Sequence, residues 1–299
     1  MCYGTIQLAG GNKVILELKN LSHIYMPNTA FEKTAVKDIN LIINPGEFIG
    51  LIGHSGSGKS TLIQHLNGLI APTSGAVMVD GKNIFENKEE LRNIRFKIGL
   101  VFQYPEAQLF EQTVYEDIAF GPKNMGLSEE EIKERVYEAI ELVGIKEELL
   151  DKSPFDLSGG QKRRVAIAGV VSMKPEILIL DEPTAGLDPK GRNSILKRIK
   201  ELHKKTNMSV ILVSHSMEDI ANNVDRIIVM NKGQLVMDDM RDNIFKKAIE
   251  LERIGLSVPQ ITKVFMKLKD KGIQLPDDIY TVEAGKNAII EYISKGDKL

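Results

Sequence analysis

Short apolar runs rich in valine and isoleucine recur along the chain: VILEL (14–18), INLII (39–43), FIGLIG (48–53), IGLVF (98–102), EILILD (176–181), SVILVS (209–214) and RIIVM (226–230). Their length and β-branched content predict strands. Several are apolar throughout, the pattern of a strand covered on both faces. Helical periodicity lies between them. Ser128 and Glu131 have capping-box spacing, after which Ile132, Val136, Ala139, Ile140 and Val143 fall on one helical face. Asp188-Pro189 reads as an N-cap followed by proline at the first helical position, ahead of a stripe formed by Ile195, Leu196, Ile199 and Leu202. The alternation predicts an α/β fold with a mostly parallel sheet.

Two stretches break the alternation. From about 104 to 172 the pattern is helical with no clear strand, which predicts a helical insert between two strands of the sheet. From about 240 to 299 the chain is charged and helix-like, and predicts a small C-terminal helical extension. There Ser257 and Gln260 make a further capping-box pattern with Pro259 inside the first turn, and Ile261, Val264, Phe265 and Leu268 recur at helical spacing. No internal repeat or low-complexity segment is present.

Composition narrows the class. The 299 residues are 42% hydrophobic, 27% charged and 6% aromatic, a globular balance with room for a large core. A formal net charge of −2 gives no electrostatic reason to expect nucleic acid or acidic lipid as a partner. The single cysteine, Cys2, cannot close an intramolecular disulfide, which suits a reducing compartment. The start of the chain, MCYGTIQLAGGNKVILEL, lacks the basic segment and long apolar stretch of a secretion signal. No run reaches the about 18 apolar residues that span a bilayer. The expectation is a protein that does not itself cross a membrane but is free to dock on one that does.

The chemistry is concentrated at the ends of the apolar runs. GHSGSGKST (53–61) follows one of them, precedes the helical pattern LIQHLNGL, and fits G-x-x-x-x-G-K-[ST] in its required strand–loop–helix setting. Gly53, His54, Ser55, Gly56, Ser57, Gly58, Lys59, Ser60 and Thr61 are thus candidates to cradle nucleotide phosphates. Backbone N–H groups and a helix N-terminus supply the positive field. Lys59 is expected to reach the β- and γ-phosphates, and Ser60 to bind Mg²⁺. ILILDEPTAGLD (177–188) ends an apolar run on Asp181-Glu182, at the sheet edge where ligands gather in open α/β folds. Asp181 is a candidate for Mg²⁺, and Glu182 for polarising an attacking water. His215 ends SVILVS and is a candidate γ-phosphate contact. Gln103 ends IGLVF and is a candidate sensor of Mg²⁺ or the attacking water. Tyr25 is a candidate platform for adenine. A second glycine-rich cradle, LSGGQKRRVA (157–166), offers Ser158, Gly159, Gly160 and Gln161 at a helix start, although one nucleotide pocket needs only one such loop.

Together these motifs resemble the ATPase subunit of an ABC transporter over roughly residues 14–240. GHSGSGKST resembles Walker A, ILILDE resembles Walker B with its glutamate, and LSGGQ resembles the ABC signature. GLD (186–188), Gln103 and His215 resemble the D-, Q- and H-loops. The resemblance implies a P-loop NTPase domain of ABC type with an antiparallel β subdomain, acting as an ATP-hydrolysing translocase subunit. It also implies a reason for the second cradle. In that family two domains pair head to tail, and the signature of one covers the ATP held by the other, so this chain must dimerise to work.

A narrower resemblance rests on YMPNTAFEKTAVKDINL, IQHLNGLIAPTSG, FQYPEAQLFEQTVYEDIAFGPKNMG and LSGGQKRRVAIAG. These are similar to the second of the two paralogous ATPases of energy-coupling factor transporters. That family implies a paralogous ATPase as heterodimer partner (or a homodimer in isolation), an integral-membrane T component and interchangeable substrate-binding S components. It further implies uptake of vitamins or transition-metal ions, a place on the cytoplasmic side of the cell membrane, and no nucleic acid. An ATPase of another importer with a dedicated permease is the alternative reading. A non-transport ABC ATPase fits poorly, since the stretch between Lys59 and Asp181 is too short for long coiled coils and only one set of motifs is present. A non-hydrolysing module fits poorly with an intact Asp181-Glu182 and His215. The transported solute is not legible.

Overall fold

The structure is a computed structural model that describes residues 15–276 and 278–294. Cys2, Val14 and all but the last four residues of the stretch read for a secretion signal lie outside the described residues. The chain opens with strands β1 (Leu16–Tyr25), β2 (Lys33–Ile43) and β3 (Phe48–Ile52), then helix α1 (Lys59–Leu66), β4 (Ser74–Val79), β5 (Lys82–Asn83) and α2 (Lys88–Lys97). Strand β6 (Ile98–Val101) leads into a helical stretch: α3 (Val114–Asn124), α4 (Glu129–Val143) and α5 (Gly159–Val171), with one 3-10 turn before α3 and two between α4 and α5. There follow β7 (Ile177–Asp181), α6 (Pro189–Thr206), β8 (Ser209–Val213), α7 (Met217–Asn223), β9 (Arg226–Asn231) and β10 (Gln234–Met240). Helices α8 (Arg241–Lys246), α9 (Ala248–Arg253), α10 (Gln260–Asp270) and α11 (Val282–Ser294) complete the described chain.

The strands form two sheets. One has the order β10-β9-β3-β8-β7-β6 and is parallel except for β10, which pairs antiparallel with β9. The other is antiparallel, in the order β2-β1-β4-β5. The apolar runs are explained by the larger sheet, which separates two cores. Alternate residues of one strand face opposite ways. Phe48, Ile52, Leu178, Leu180, Val210 and Leu212 join helices α3 to α6 on one side. Ile49, Leu51, Ile177, Ile179, Ile211 and Val213 join α1 and the antiparallel sheet on the other.

The parallel strands all point their C-terminal ends to one edge. Their registers place Asp181 beside Val213, Val213 beside Leu51, and Val101 beside Leu180. Whatever follows Ile52, Val101, Asp181 and Val213 is therefore delivered to one rim. Among the described residues no strand interrupts the stretch between β6 and β7, as its pattern predicts. The capping boxes at Ser128–Glu131 and the cap at Asp188 form as read, and both predicted stripes are buried.

Three strands escaped the sequence pattern: β4, β5 and β10. All have partly exposed residues, and β5 is only two residues long. One expected cap is wrong. The Ser257 hydroxyl turns to the Val258 carbonyl at 3.2 Å, and α10 begins only after Pro259, which is its N-cap and not part of its first turn. The Gln260 N–H instead donates to Glu218 Oε1 of α7 at 3.0 Å, so the carboxylate that caps this helix comes from far upstream. The extension is continuous with the main core: Ile244, Phe245, Leu251, Leu256, Val258 and Tyr280 are buried in the cluster that holds α3 to α6.

Candidate functional site

The loop 53–58 connects β3 to α1, and its shape is enforced by close neighbours. A Cβ on Gly53 would come to 2.5 Å from the Met230 carbonyl oxygen and from Ser57 Oγ. Gly58 has φ +104° and a Cβ there would meet the Ala35 carbonyl oxygen at 2.7 Å, so only glycine fits. Gly58 is the N-cap of α1, with no side-chain cap and no acidic residue in the first turn. The orphan N–H groups of that helix start are thus left for an anion. Lys59 is buried with Nζ donating to the carbonyls of Gly53 at 2.7 Å and His54 at 3.1 Å. Ser60 and Thr61 follow in the first turn, with Ser60 exposed. Tyr25, at the end of β1, reaches the same helix: its hydroxyl lies 3.3 Å from Thr61 Oγ1. Its ring edge meets His23, whose ring in turn meets buried His65 on α1.

Across from the loop, β7 ends on Asp181 and the chain turns at Glu182, whose φ of +50° is left-handed. For a non-glycine residue this costs on the order of 1–2 kcal/mol. The Glu182 N–H donates to the Val213 carbonyl at 3.0 Å, and this bond to the end of β8 maintains the turn. Burial pushes the Glu182 carboxyl up to about 7, helped by Asp181 and opposed by Lys59. Burial also raises Asp181, again opposed by Lys59. Lys59 itself is lowered by burial, with the two acids pulling the other way. Glu182 Oε1 is buried without a hydrogen-bond partner and lies 3.4 Å from His215 Nε2. Burial and the Lys59 charge both lower His215. One lysine, two desolvated acids and an imidazole thus share a rim, an arrangement suited to holding a polyphosphate and polarising water beside it. Among the described residues no three His, Cys, Asp or Glu side chains form a closed metal site.

Two of the expected elements make no hydrogen bond to the phosphate loop among the described residues. Gln103 is exposed just after β6. Ser158 is the N-cap of α5 and forms a capping box with Gln161: its hydroxyl donates to Gln161 Oε1 at 3.0 Å and accepts the Gln161 N–H at 3.4 Å. A Cβ on Gly159 or Gly160 would meet nothing within 4 Å. Among the described residues the Ser158 and Gln161 side chains hydrogen-bond to each other and to each other's backbone N–H, and no hydrogen bond joins the four residues to the phosphate loop.

Sequence reasoning missed Arg163. Its side chain is buried on α5, with Nε and Nη2 bonded to both carboxylate oxygens of Glu106 at 2.9–3.1 Å. Nη1 donates to the carbonyls of Pro183 at 3.3 Å and Ala185 at 2.6 Å. The signature-like helix, the turn after Gln103 and the turn after Glu182 are thereby held by one guanidinium. The only hint in the sequence is an arginine on the face of α5 that also carries Ala166 and Ile167 inward. Leu109 is buried while Phe110 is 59% exposed, and the Phe110 ring meets the exposed Phe120 edge-on at 4.9 Å. No helix among the described residues is long and apolar enough to cross a membrane.

The sequence model of the family described as ABC transporter matches residues 36–185. The energy-coupling factor transporter ATP-binding protein EcfA2 of Clostridium perfringens is 58% identical over 279 residues, covering 93% of this chain and 98% of its own. The protein of the same name from Caldanaerobacter subterraneus subsp. tengcongensis is 58% identical over 278 residues, covering 93% and 97%. Among solved structures, cbiO1 from Clostridium perfringens, described as part of the ABC transporter complex cbiONQ, superposes with a TM-score of 0.72 at 38% identity, covering 85% of this chain and 99% of its own. A dimeric ATP-binding cassette, MJ0796, in a post-hydrolysis state bound to ADP and Pi, gives 0.67 at 31% identity, covering 76% and 98%.

Proposed function

The chain belongs to the ABC transporter family, among the ATP-binding subunits of energy-coupling factor transporters, and from that membership we propose how its residues work and with what it assembles. It binds ATP and couples ATP hydrolysis to transport. We assign residues 14–240 to the ATP-binding domain, with the helical insert at about 104–172, and residues 241–299 to an extension that helps hold a dimer together. The exposed apolar residues Val264, Val282, Ile290 and Ile293 are available for that contact.

In the proposed mechanism the N–H groups of residues 53–61 wrap the β- and γ-phosphates. Lys59 exchanges its two carbonyl partners for phosphate oxygens. Tyr25 stacks on adenine. Glu182 draws a proton from the attacking water; a base titrating near neutrality is matched to this task. His215, 3.4 Å from Glu182, orients that carboxylate and the γ-phosphate. Gln103 monitors the water side of the site. The residues also fit a magnesium ion. Asp181 is desolvated beside a single cation, and the exposed Ser60 hydroxyl opens the first turn of α1. With no closed protein cluster, the ion would complete its shell with phosphate oxygens and water, as Mg²⁺ does. Bound there, it would neutralise charge on the β- and γ-phosphates.

The observation that carries this reading is the rim itself, where Lys59, Asp181, Glu182 and His215 meet while Ser158–Gln161 remain open. Ser158, Gly159, Gly160 and Gln161 then serve the nucleotide of a second ATPase, a paralogue in the assembled transporter. The dimer sits peripherally on the cytoplasmic face of the cell membrane, under an integral-membrane T component and exchangeable S components that select vitamins or transition-metal ions. The T component docks an apolar helix face on Phe110 and Phe120. Burying one large side chain contributes ~1.5–3 kcal/mol. Phe110→Ala in membranes reconstituted with the T and S components should therefore weaken docking about tenfold or more. It should leave ATP binding intact and separate hydrolysis from uptake. Normal coupling with normal uptake would overturn the docking surface. Identifying the S component that co-purifies names the solute.

A further inference from the structure

The turn between β9 and β10 belongs to none of the motifs, yet it grips the phosphate loop. The Gly233 N–H donates to the Ser57 carbonyl at 2.9 Å, and the Gly233 carbonyl accepts the Lys37 N–H of β2 at 2.8 Å. Gly233 has φ +79°, and a Cβ there would come to 2.8 Å from the Ala35 carbonyl oxygen. The turn is thus wedged between the phosphate loop and the antiparallel sheet. One residue earlier, Asn231 Oδ1 lies 2.9 Å from His54 Nε2. The other ring nitrogen, Nδ1, lies 2.7 Å from the Ser55 carbonyl oxygen.

Each contact has a consequence. A carbonyl only accepts, so His54 Nδ1 carries a proton and donates it to Ser55. In a trans peptide the C=O and N–H point opposite ways, and the described chain has no cis peptide. The ring that draws the Ser55 carbonyl toward itself therefore turns the Gly56 N–H away from itself. The His54 carbonyl meanwhile accepts from both Lys59 Nζ and the Ser57 N–H, each at 3.1 Å. Rotation of the His54 side chain would release the Ser55 peptide. Asn231 opposes that rotation from the far side of the ring, with an amide able to accept from the ring or to donate to it.

We propose that Asn231 is a positioning residue for the phosphate loop: through the His54 ring it fixes the Ser55–Gly56 peptide so that the Gly56 N–H is presented to a bound phosphate. The inference rests on the phosphate loop being the ATP site. Its test is the steady-state ATPase of the full assembled complex carrying Asn231→Ala, His54→Ala or both, with Lys59→Ala run in parallel. Losing one hydrogen bond that orients a binding group should raise KM for ATP ~3–10-fold. The Asn231→Ala kcat should stay within about twofold, because the chemistry at Glu182 is untouched. The two residues act in series, so the double variant should be no worse than the poorer single. The proposal is overturned by an unchanged KM in either single variant, or by losses that multiply in the double. It is equally overturned if Asn231→Ala melts or fails to fold, since the turn would then be a fold element and not a positioning device. If Lys59→Ala also leaves ATP binding unchanged, the ATP-site reading itself falls; if only Asn231→Ala is silent, that reading stands and the positioning role alone is lost.

Discussion

Helices α1 and α5 both begin with glycines and small hydroxyl residues, and their own chain treats them differently. At α1 two of the three loop glycines are pressed by neighbours: Met230, Ser57 and Ala35 leave no room for a Cβ on Gly53 or Gly58, while Gly56 has open space but a left-handed φ of +77°. The helix start has no side-chain cap, and the nearest cation, Lys59, faces two acids across the rim. At α5 the start is capped by its own Ser158 and Gln161, and Gly159 and Gly160 have open space around them. A glycine with close neighbours is explained by the fold that surrounds it. A glycine with open space and no left-handed φ, such as Gly159 or Gly160, has no such reason within the chain, and in the proposed assembly its bare backbone serves something arriving from outside. In the proposed assembly the first cradle is shaped within one chain, and the second serves the nucleotide of another.

The largest effect separating the two regions should come from Glu182→Gln. It removes a proton acceptor whose charge, not shape, matters, so turnover should fall ~10²–10⁴-fold while ATP binding persists. Glu182 titrates near 7 in the free chain. Only the deprotonated form accepts a proton, so kcat/KM of the parent should rise with pH through that value and the variant should lose the limb. An ATPase rate within twofold of the parent would remove Glu182 from the reaction.

A smaller and more diagnostic contrast compares alanine at the two cradles. Gly53→Ala forces a Cβ against backbone and should destabilise the isolated chain by ~1–3 kcal/mol. Gly160→Ala lies within a helix and meets nothing, so it should leave the isolated chain as stable or stabilise it by ~0.5–1 kcal/mol. It should nonetheless slow hydrolysis in the assembled dimer, where a phosphate must approach the bare backbone. Thermal melts of the single chain beside ATPase assays of the complex separate the two. A Gly160→Ala protein that hydrolyses ATP normally in the dimer would contradict the idea that its space is reserved for a partner's nucleotide.

The same division describes what the sequence made legible. Strands of the parallel sheet are readable because burial on both faces forces continuous apolar runs. Strands β4, β5 and β10 are not, because they have partly exposed residues. Local caps such as Ser128–Glu131 and Asp188 were readable because both partners lie within one turn. The expected cap at Ser257 failed because Glu218, distant in sequence, supplies the acceptor. The site follows the same rule. Residues 53–61, Asp181 and Glu182 announce themselves by spacing. Arg163 bound to Glu106, and Asn231 bound to His54, join residues far apart in the chain, and only the folded structure brings them together.

The central claim is that the Ser158–Gln161 cradle completes the ATP site of the other protomer. It is tested most directly by placing two lesions in one dimer and counting trapped nucleotide. Lys59→Ala disables a chain's own phosphate loop, and Ser158→Arg disables its signature-like cradle. If the cradles act across the interface, both changes in this chain damage both sites, and no nucleotide is occluded. Moving the serine change to the equivalent position of the partner concentrates both lesions in one site, and one nucleotide per dimer should remain occluded. The reverse pattern, with one nucleotide retained when both changes share a chain and none when they are divided, would show that each protomer closes its own site and would contradict the account.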